Sequence, residues 1–201
     1  MTPANHSDKR EVFRRQVGPA LAIKLLEPAD AETIFPMIDR DRGYLAEWLP
    51  WVERTRSAAD VRQFITDIVT PQWLDNRGPQ CGIWMEGAFA GTIGCHPIDW
   101  RNRNCSLGYW IASQYQGRGI VTTAVAAMLD YLFFDLDLHR VVIQCGTGNH
   151  RSCAIPQRLA FTREGIAREA ELVNNRWIDL VVWSILHTEW TAGGYGRSGT
   201  Y

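Results

Sequence analysis

The chain has 201 residues, 46% hydrophobic and 21% charged, which are ordinary globular values and exclude a disordered or fibrous protein. Its 21 basic and 22 acidic residues give a net charge of -1, which argues against a dedicated nucleic-acid binder. No stretch approaches the roughly 18 apolar residues of a membrane span, and the N-terminus lacks the apolar segment of a secretion signal. We therefore expect a cytoplasmic protein that binds neither nucleic acid nor membrane.

Both ends of the chain lack the apolar periodicity of packed elements. Residues 1–20 are polar and charged, and residues 191–201 are rich in glycine and small polar side chains. We therefore expect two flexible tails around a single domain at residues 21–190.

The five cysteines are odd in number, lack CxxC spacing and fall mostly in apolar, strand-like runs. This usage predicts reduced core thiols. Cys153, beside Arg151 and His150 in the sequence, is an alternative as a nucleophile, because such neighbours lower a thiol pKa. His96 and His139 lack paired ligand spacing, so we expect no metal site.

Strand-like and helix-like patterns alternate in the first half of the domain. Ser57, with Asp60 three residues on, marks the start of an amphipathic helix that Pro71 should bend or end. Glu86-Gly87 marks a hairpin turn. In chain order the elements are a strand at Leu21–Leu26, a helix from Pro28 to about Ile38, an aromatic loop at 44–51, a helix at Ser57–Trp73, and hairpin strands at Cys81–Met85 and Ala88–Cys95.

The second half contains the longest helical pattern and a closing hairpin. Its elements, in chain order, are a strand at Cys105–Ile111, a helix at Gly117–Phe134, a strand at Arg140–Cys145, a short helix at Ser152–Leu159, and hairpin strands at Glu164–Val173 and Arg176–Leu186. Pro156 fits the short helix only in its first turn. The strand-helix-strand unit implies one parallel pairing. We therefore expect an α+β (mixed α/β) domain, with a mostly antiparallel mixed sheet of six to seven strands and about four helices on both faces.

One segment leads a strand into the long helix through a turn that contains two glycines. Gly117 and Gly119 let the main chain approach a ligand, and the N–H groups of the helix N-terminus favour an anion such as phosphate. Ile120 stands where a P-loop needs lysine, and Thr122 stands where a dinucleotide fingerprint needs its third glycine, so neither motif fits. The segment therefore predicts an anion cradle, with a tight turn without ligand as the alternative.

This segment also resembles a known family. Gln114-x-x-Gly117-x-Gly119 matches the Q/R-x-x-G-x-G/A signature of the GNAT superfamily of acetyl-CoA-dependent N-acetyltransferases. Further segments resemble the RimJ/RimL-like branch, which acetylates ribosomal-protein N-termini; they are Trp48–Trp51, Leu107–Ile111, Asn149–Ser152, Phe161–Gly165 and Arg168–Glu171. The resemblance runs from about Leu21 to Trp190 and implies a GNAT-like fold with splayed central strands.

The resemblance implies a binding site for acetyl-CoA, the cosubstrate, between two neighbouring strands. Acetyl-CoA would lie where Cys105–Ile111 and Arg140–Cys145 splay apart, with the pantetheine bonded to strand backbone and to the Asn149 amide. Without the resemblance, Asn149 reads equally well as a turn residue before a helix. The cofactor-binding residues are then Tyr109, Trp110, Ile111, Gln114, Gln116, Gly117, Arg118, Gly119, Ile120, Asn149 and Ser152.

The resemblance also implies roles in direct transfer of acetyl to a primary amine through a ternary complex. Glu171 is the base that takes the ammonium proton, and Ser152 is the hydroxyl that protonates the leaving sulfur. A backbone N–H near Trp110 or Ile111 would polarise the thioester carbonyl. The alternatives are an N-cap role for Ser152 and a solvated strand-end carboxylate for Glu171. Glu169 would face the other side of the strand unless a bulge intervenes.

The acceptor implied by the resemblance is a protein N-terminal α-amine of the ribosomal-protein type, and a small-molecule amine stays open. Trp48 and Trp51, with Glu47 and Glu53, suit an acceptor mouth for a cation. The alternative is that these indoles pack the first helices against the sheet. A homodimer through the closing hairpin also stays open.

Two positions depart from the family pattern. Ala160 stands where the family usually has glycine, so a positive φ there would cost stability. Pro156 stands where many members have a tyrosine as general acid, which leaves that task to Ser152 or bulk water. These departures motivate an alternative from another class, a non-catalytic acyl-CoA-binding sensor or partner-binding module.

Overall fold

Eight strands form one sheet in the part of the chain that the structure, a computed structural model, describes, residues 13–193. The strands are β1 Arg14–Gln16, β2 Leu21–Leu25, β3 Gln80–Met85, β4 Ala88–Cys95, β5 Asn104–Ile111, β6 Arg140–Gly146, β7 Thr162–Val173 and β8 Arg176–Leu186. The helices are α1 Ala31–Arg40, α2 Arg42–Ala46, α3 Ala58–Phe64, α4 Thr70–Leu74, α5 Ile120–Asp130, α6 His150–Arg158 and α7 His187–Ala192. None of these helices has the length and apolar character needed to cross a membrane.

The sheet is mixed and mostly antiparallel, as predicted. Its strand order is β1-β2-β3-β4-β5-β6-β8-β7, and only β5 and β6 run parallel. Their pairing stops at Leu107 and Ile143, and beyond that level 108–111 on β5 and 144–146 on β6 are not paired with each other. The two central strands therefore splay apart at their C-terminal ends and leave a gap between them, which confirms the predicted splay.

The number of strands differs from the six to seven predicted, because β1 lies in the segment 1–20 that was expected to be a tail. Arg14–Gln16 pairs with Ala22–Lys24 through main-chain bonds, which need no apolar pattern. Phe13 is buried and packs edge-on against the rings of Trp73 and Tyr131. At the other end, 191 and 192 belong to α7, and residues 1–12 and 194–201 lie outside the described part of the chain.

Pro71 does not end its helical segment, and Pro156 does not lie in a first turn as predicted. Ser57 caps α3 as expected, its hydroxyl accepting the Asp60 N–H at 3.3 Å. A π-helical turn, Ile65–Val69, follows directly, and the chain stays helical through Pro71 to Leu74. Pro156 lies well inside α6 rather than in its first turn.

The five cysteines are buried and unpaired, which confirms the prediction of core thiols. The Cys153 thiol, weighed as a nucleophile, points to the Gly146 carbonyl in the core at 3.7 Å. Cys95 and Cys105 lie on the neighbouring strands β4 and β5. Burial raises the pKa of Cys81 well above its ordinary value, so this thiol stays protonated.

The closing hairpin contains a wide bulge in β7. Ala167 pairs with Leu180, and the next paired residue, Glu171, pairs with Ile178. Three residues of β7, 168–170, therefore oppose the single residue Asp179 on β8. Inside the bulge Glu169 adopts a left-handed φ of 47°, and its N–H donates to the Asp179 carboxylate at 2.8 Å. The bulge places Glu171, rather than Glu169, opposite Ile178.

Replacing Ala160 with glycine should stabilise the protein. Ala160 follows α6 with a φ of 58°, the left-handed conformation that an L residue adopts only with strain. After subtracting the entropy of an added glycine, we expect a gain of about 1 kcal/mol, or roughly 2–4 °C in melting temperature. Ala154→Gly inside α6 is the matched control and should lower the melting temperature by a similar amount. Thermal unfolding in which both variants shift downward would contradict the prediction.

Candidate functional site

The gap between β5 and β6 presents unpaired main-chain groups. The Ala112 N–H bonds the Ala90 carbonyl on β4 at 2.7 Å, and Ser106 accepts from His96, so even-numbered residues of β5 direct their main-chain groups to β4. Odd-numbered residues therefore direct theirs to the opposite side, where β6 has diverged. The Ile111 carbonyl accepts the Tyr44 hydroxyl, which leaves the Ile111 N–H facing the gap.

Of the three β5 residues predicted to bind the cofactor, Trp110 is turned away from the gap. It pairs with Thr92 on β4, and its indole is buried against the rings of Trp51 and Phe89. Tyr109 and Ile111 keep backbone groups toward the gap. Of the two N–H groups predicted to polarise the thioester, only that of Ile111 faces the gap, because strand alternation points the Trp110 N–H at β4.

The turn before α5 has the geometry of the predicted cradle. Gly117 and Gly119 both have left-handed backbones, with φ of 74° and 73°, and Gly119 is the N-cap of α5. A Cβ at either position would meet no atom within 4 Å, so the main chain borders open space. Among the described residues, the N–H groups of 117–122 donate to no backbone carbonyl. These donors, at the positive end of a helix dipole, suit a phosphate or pyrophosphate.

The predicted polar side chains of the cradle are held by neighbouring helices rather than pointing freely at a ligand. Arg40 of α1 donates to the Gln114 side-chain oxygen at 3.1 Å. Arg151 of α6 donates to the Gln116 side-chain oxygen at 2.5 Å. Arg118 lies over the Tyr115 ring, 5.6 Å from its centroid. The main chain at 117–120, with Ile120 opening the helix, is therefore the part of the cradle whose donors face open space.

Asp41, which the sequence did not single out, anchors the start of the cradle. Its buried carboxylate accepts the Ser113 N–H at 2.6 Å and the Ser113 hydroxyl at 2.8 Å, and it pairs with Arg40 at 3.0 Å. Burial opposes ionisation of Asp41, but the bonds from Arg40 and Ser113 outweigh it and lower its pKa. No local motif marks this contact, because Asp41 and Ser113 are joined only by the fold.

Ser152 lies in the first turn of α6, beside the gap. Its hydroxyl is 3.3 Å from the Tyr109 hydroxyl and 3.3 Å from the Cys145 sulfur, both on the splayed strands. The N-cap is Asn149, whose side-chain oxygen accepts the Ser152 N–H at 3.1 Å. The N-cap alternative weighed for Ser152 is therefore wrong, and Asn149 performs that role while its Nδ2 donates to no described residue.

Glu171 is half-buried on the other face of the sheet. It pairs with Ile178, so the two side chains share a face, and Ile178 packs with Trp48 from the aromatic loop. Burial raises the pKa of Glu171 above its ordinary value, and the nearby His96 opposes that rise. Ser152 contacts Tyr109, whereas the aromatic loop packs on Trp110, and adjacent strand residues point to opposite faces. Glu171 and Ser152 therefore lie on opposite faces of the sheet, and Ile178, the partner of Glu171, lies next to Gly146 at the end of β6.

The two tryptophans of the aromatic loop, Trp48 and Trp51, pack against the sheet, which was the alternative to a role in an acceptor mouth. Trp51 is tilted against Trp110, with centroids 6.2 Å apart. A Cβ at Gly146 would lie 2.7 Å from the Trp48 ring, which explains the absence of a side chain there. Asn174 at the tip of the closing hairpin donates to the Ala46 carbonyl at 2.7 Å, which joins the hairpin to α2.

Replacing Gly119 with alanine should weaken acetyl-CoA binding about tenfold, since left-handed strain of about 1–2 kcal/mol would distort the cradle. The added Cβ would meet no atom of the protein, so no clash inside the fold competes with this effect. Gly165→Ala is the matched control, because its Cβ meets no atom within 4 Å and no left-handed φ is needed. Calorimetric titration with acetyl-CoA measures both variants. If Gly119→Ala and Gly165→Ala have equal dissociation constants for acetyl-CoA, the cradle does not bind the ligand.

Comparison with known proteins identifies similar chains along most of the length. A family profile described as "Acetyltransferase (GNAT) domain" matches residues 20–162. The Bacillus subtilis (strain 168) protein named "Putative ribosomal N-acetyltransferase YdaF" is 37% identical over 89% of this chain and 98% of its own. The ribosomal-protein-serine acetyltransferase of Escherichia coli (strain K12) is 25% identical over 84% and 94%. A crystal structure described as a "Probable acetyltransferase" superposes with a TM-score of 0.82 at 37% identity, over 89% of this chain and 99% of that one.

Proposed function

The chain belongs to the GNAT acetyltransferase family, and we propose that its acceptor is the α-amine of a protein N-terminus, acetylated by direct attack in a ternary complex. The observation that carries direct transfer in a ternary complex is the placement of Glu171 and Ser152 on opposite faces of the sheet. Such an arrangement allows a base on the acceptor side and an acid on the thioester side of one reaction centre.

The residues of the gap and the cradle fit acetyl-CoA, the acetyl donor of this family. The Ile111 N–H and the main chain of Tyr109 border the gap, where a pantetheine needs amide partners. The open N–H groups of 117–120 suit the pyrophosphate, and the Asn149 Nδ2 is available for the pantetheine. Bound there, acetyl-CoA supplies an activated acetyl group as a thioester.

Glu171 is the proposed proton acceptor on the acceptor side. A protein N-terminus is partly protonated at neutral pH, and only the neutral amine is a nucleophile. Partial burial raises the Glu171 pKa, which makes the carboxylate a stronger base than an exposed one. It takes the ammonium proton directly or through water.

Ser152 and Ile111 are the proposed partners on the donor side. The Ser152 hydroxyl is the proton donor for the leaving sulfur, since it lies beside the gap with its O–H shared between Tyr109 and Cys145. The Ile111 N–H donates to the carbonyl oxygen on which negative charge develops.

The acceptor proposal is supported by similarity and by charge. Homologues from Bacillus subtilis and Escherichia coli carry names that refer to ribosomal proteins. Glu47 is exposed in the aromatic loop, and Glu169 is exposed in the hairpin that joins it. These carboxylates would attract the cationic amine of a peptide N-terminus. We place the reaction in the cytoplasm, because five unpaired thiols suit a reducing compartment.

The acceptor class is tested with peptides in matched pairs. A peptide that starts with serine or alanine and contains an internal lysine is offered with a free and with a formylated N-terminus, beside polyamines and amino acids. We expect acetylation of the free peptide, located by mass spectrometry at the α-amine. Acetylation of the lysine, or of the small amines alone, would refute the N-terminal proposal.

The rate should fall at acidic pH with an apparent pKa above the ordinary glutamic acid value. A base acts only when unprotonated, and burial raises the pKa of Glu171, so kcat declines as the pH falls through that raised value. The measurement is kcat at saturating substrates from pH 4 to 8, in wild type and Glu171→Gln. If kcat of Glu171→Gln falls at the same acidic pH as kcat of the wild type, the titrating group is not Glu171.

A further inference from the structure

Pro156 leaves one main-chain acceptor of α6 without its helical donor. In an α-helix the N–H of residue 156 would bond the carbonyl of residue 152, and proline has no N–H. The Tyr109 hydroxyl donates to that Ser152 carbonyl instead, at 3.2 Å. A side chain from β5 therefore completes the helix at the residue that carries the proposed acid.

The same hydroxyl also contacts the Ser152 side chain. Its oxygen accepts the Ser152 hydroxyl at 3.3 Å, so Tyr109 bonds both the main chain and the side chain of one residue. We propose that Tyr109 is a positioning residue, which holds Ser152 at the gap by replacing the N–H that Pro156 lacks. This inference rests on the proposed function, in which Ser152 protonates the leaving sulfur.

The geometry explains why a tyrosine suits this position. The Tyr109 ring projects from the splayed part of β5, and its proton is committed to the Ser152 carbonyl. Its oxygen is then an acceptor only, which directs the Ser152 hydroxyl toward β5, the strand that borders the gap. Burial raises the pKa of Tyr109 well above its ordinary value, so the hydroxyl stays neutral and keeps this pattern over the working pH range.

The first test removes the hydroxyl alone. Tyr109→Phe should lower kcat about tenfold with the KM for acetyl-CoA within about twofold, since the ring keeps its packing. Tyr131→Phe, on the far aromatic cluster, is the matched control and should leave kcat unchanged. If Tyr109 acts through Ser152, the Tyr109→Phe change in a Ser152→Ala background should cause no further loss. Equal proportional losses in both backgrounds would overturn the proposal, and so would an unchanged kcat in Tyr109→Phe.

The second test restores the missing donor. Pro156→Ala returns an N–H to the Ser152 carbonyl, so Tyr109→Phe should cost less in that background than in wild type. An undiminished loss would overturn the link to Pro156. Melting temperatures of all variants separate this role from a purely structural one, which would lower stability and leave kcat of the folded enzyme unchanged.

The outcomes also separate this inference from the proposed function. A Ser152→Ala variant with full kcat refutes the proposed acid, and the positioning role falls with it. A large loss in Ser152→Ala together with full activity in Tyr109→Phe overturns only the positioning role.

Discussion

Replacing Glu171 with glutamine should lower kcat by about 10²- to 10⁴-fold and leave acetyl-CoA affinity within about twofold, because the amide removes a base without changing the cradle. Glu171 is half-buried, pairs with Ile178 and lies on the face of the sheet opposite Ser152, whereas the cradle lies at the start of α5. Steady-state kinetics of thiol release and calorimetric titration with acetyl-CoA measure the two quantities.

Glu169→Gln is the matched control for this change. Both glutamates lie in the same strand, but Glu169 is exposed inside the bulge and opposes no residue of β8. We expect its kcat to stay near that of wild type. A comparable loss in both variants would point to general acidity of the hairpin instead of one base, and full activity in Glu171→Gln would remove Glu171 from the mechanism.

Replacing Ser152 with alanine should lower kcat by about 10²-fold, the lower end of what a positioned acid contributes. The leaving thiolate would then depend on bulk water for its proton. The N-cap of α6 survives this change, because Asn149 accepts the main-chain N–H of residue 152, which alanine retains. We therefore expect a nearly unchanged melting temperature.

Ser57→Ala serves as the opposite control in the same experiment. It removes the side-chain cap of α3, so it should cost about 1 kcal/mol of stability while kcat stays unchanged. Loss of kcat in Ser57→Ala would show that lost helix stability alone lowers kcat. Loss of stability without loss of kcat in Ser152→Ala would show that Ser152 has a structural role only.

Local patterns were sufficient to predict most elements of this fold. Alternation and turn residues predicted the β3–β4 hairpin, and Glu86 and Gly87 both adopt the left-handed φ that such a turn needs. The glycines before α5 predicted the cradle, because their spacing reflects the backbone conformation itself. The family resemblance contributed what these patterns lack, namely the identity of the ligand and the choice of Glu171.

Contacts between distant segments could not be predicted from local patterns. Strand β1 has no apolar alternation in Arg14–Gln16 and forms through main-chain pairing with β2. In the bulge of β7, the Glu169 N–H donates to the carboxylate of Asp179, which lies on the partner strand β8. Local sequence favours Pro156 in a first turn, where no helical bond is lost, and the Tyr109 hydroxyl that compensates the lost bond lies 47 positions earlier.

The measurement that tests the central claim most directly combines calorimetric titration of the protein with acetyl-CoA and CoA with a free-thiol release assay over N-terminal peptides and small amines. We predict binding of both ligands and thiol release only when an amine is present, fastest with a free protein N-terminus. Binding without release for any amine would contradict catalysis and support an acyl-CoA sensor, and absence of binding would contradict the cradle itself.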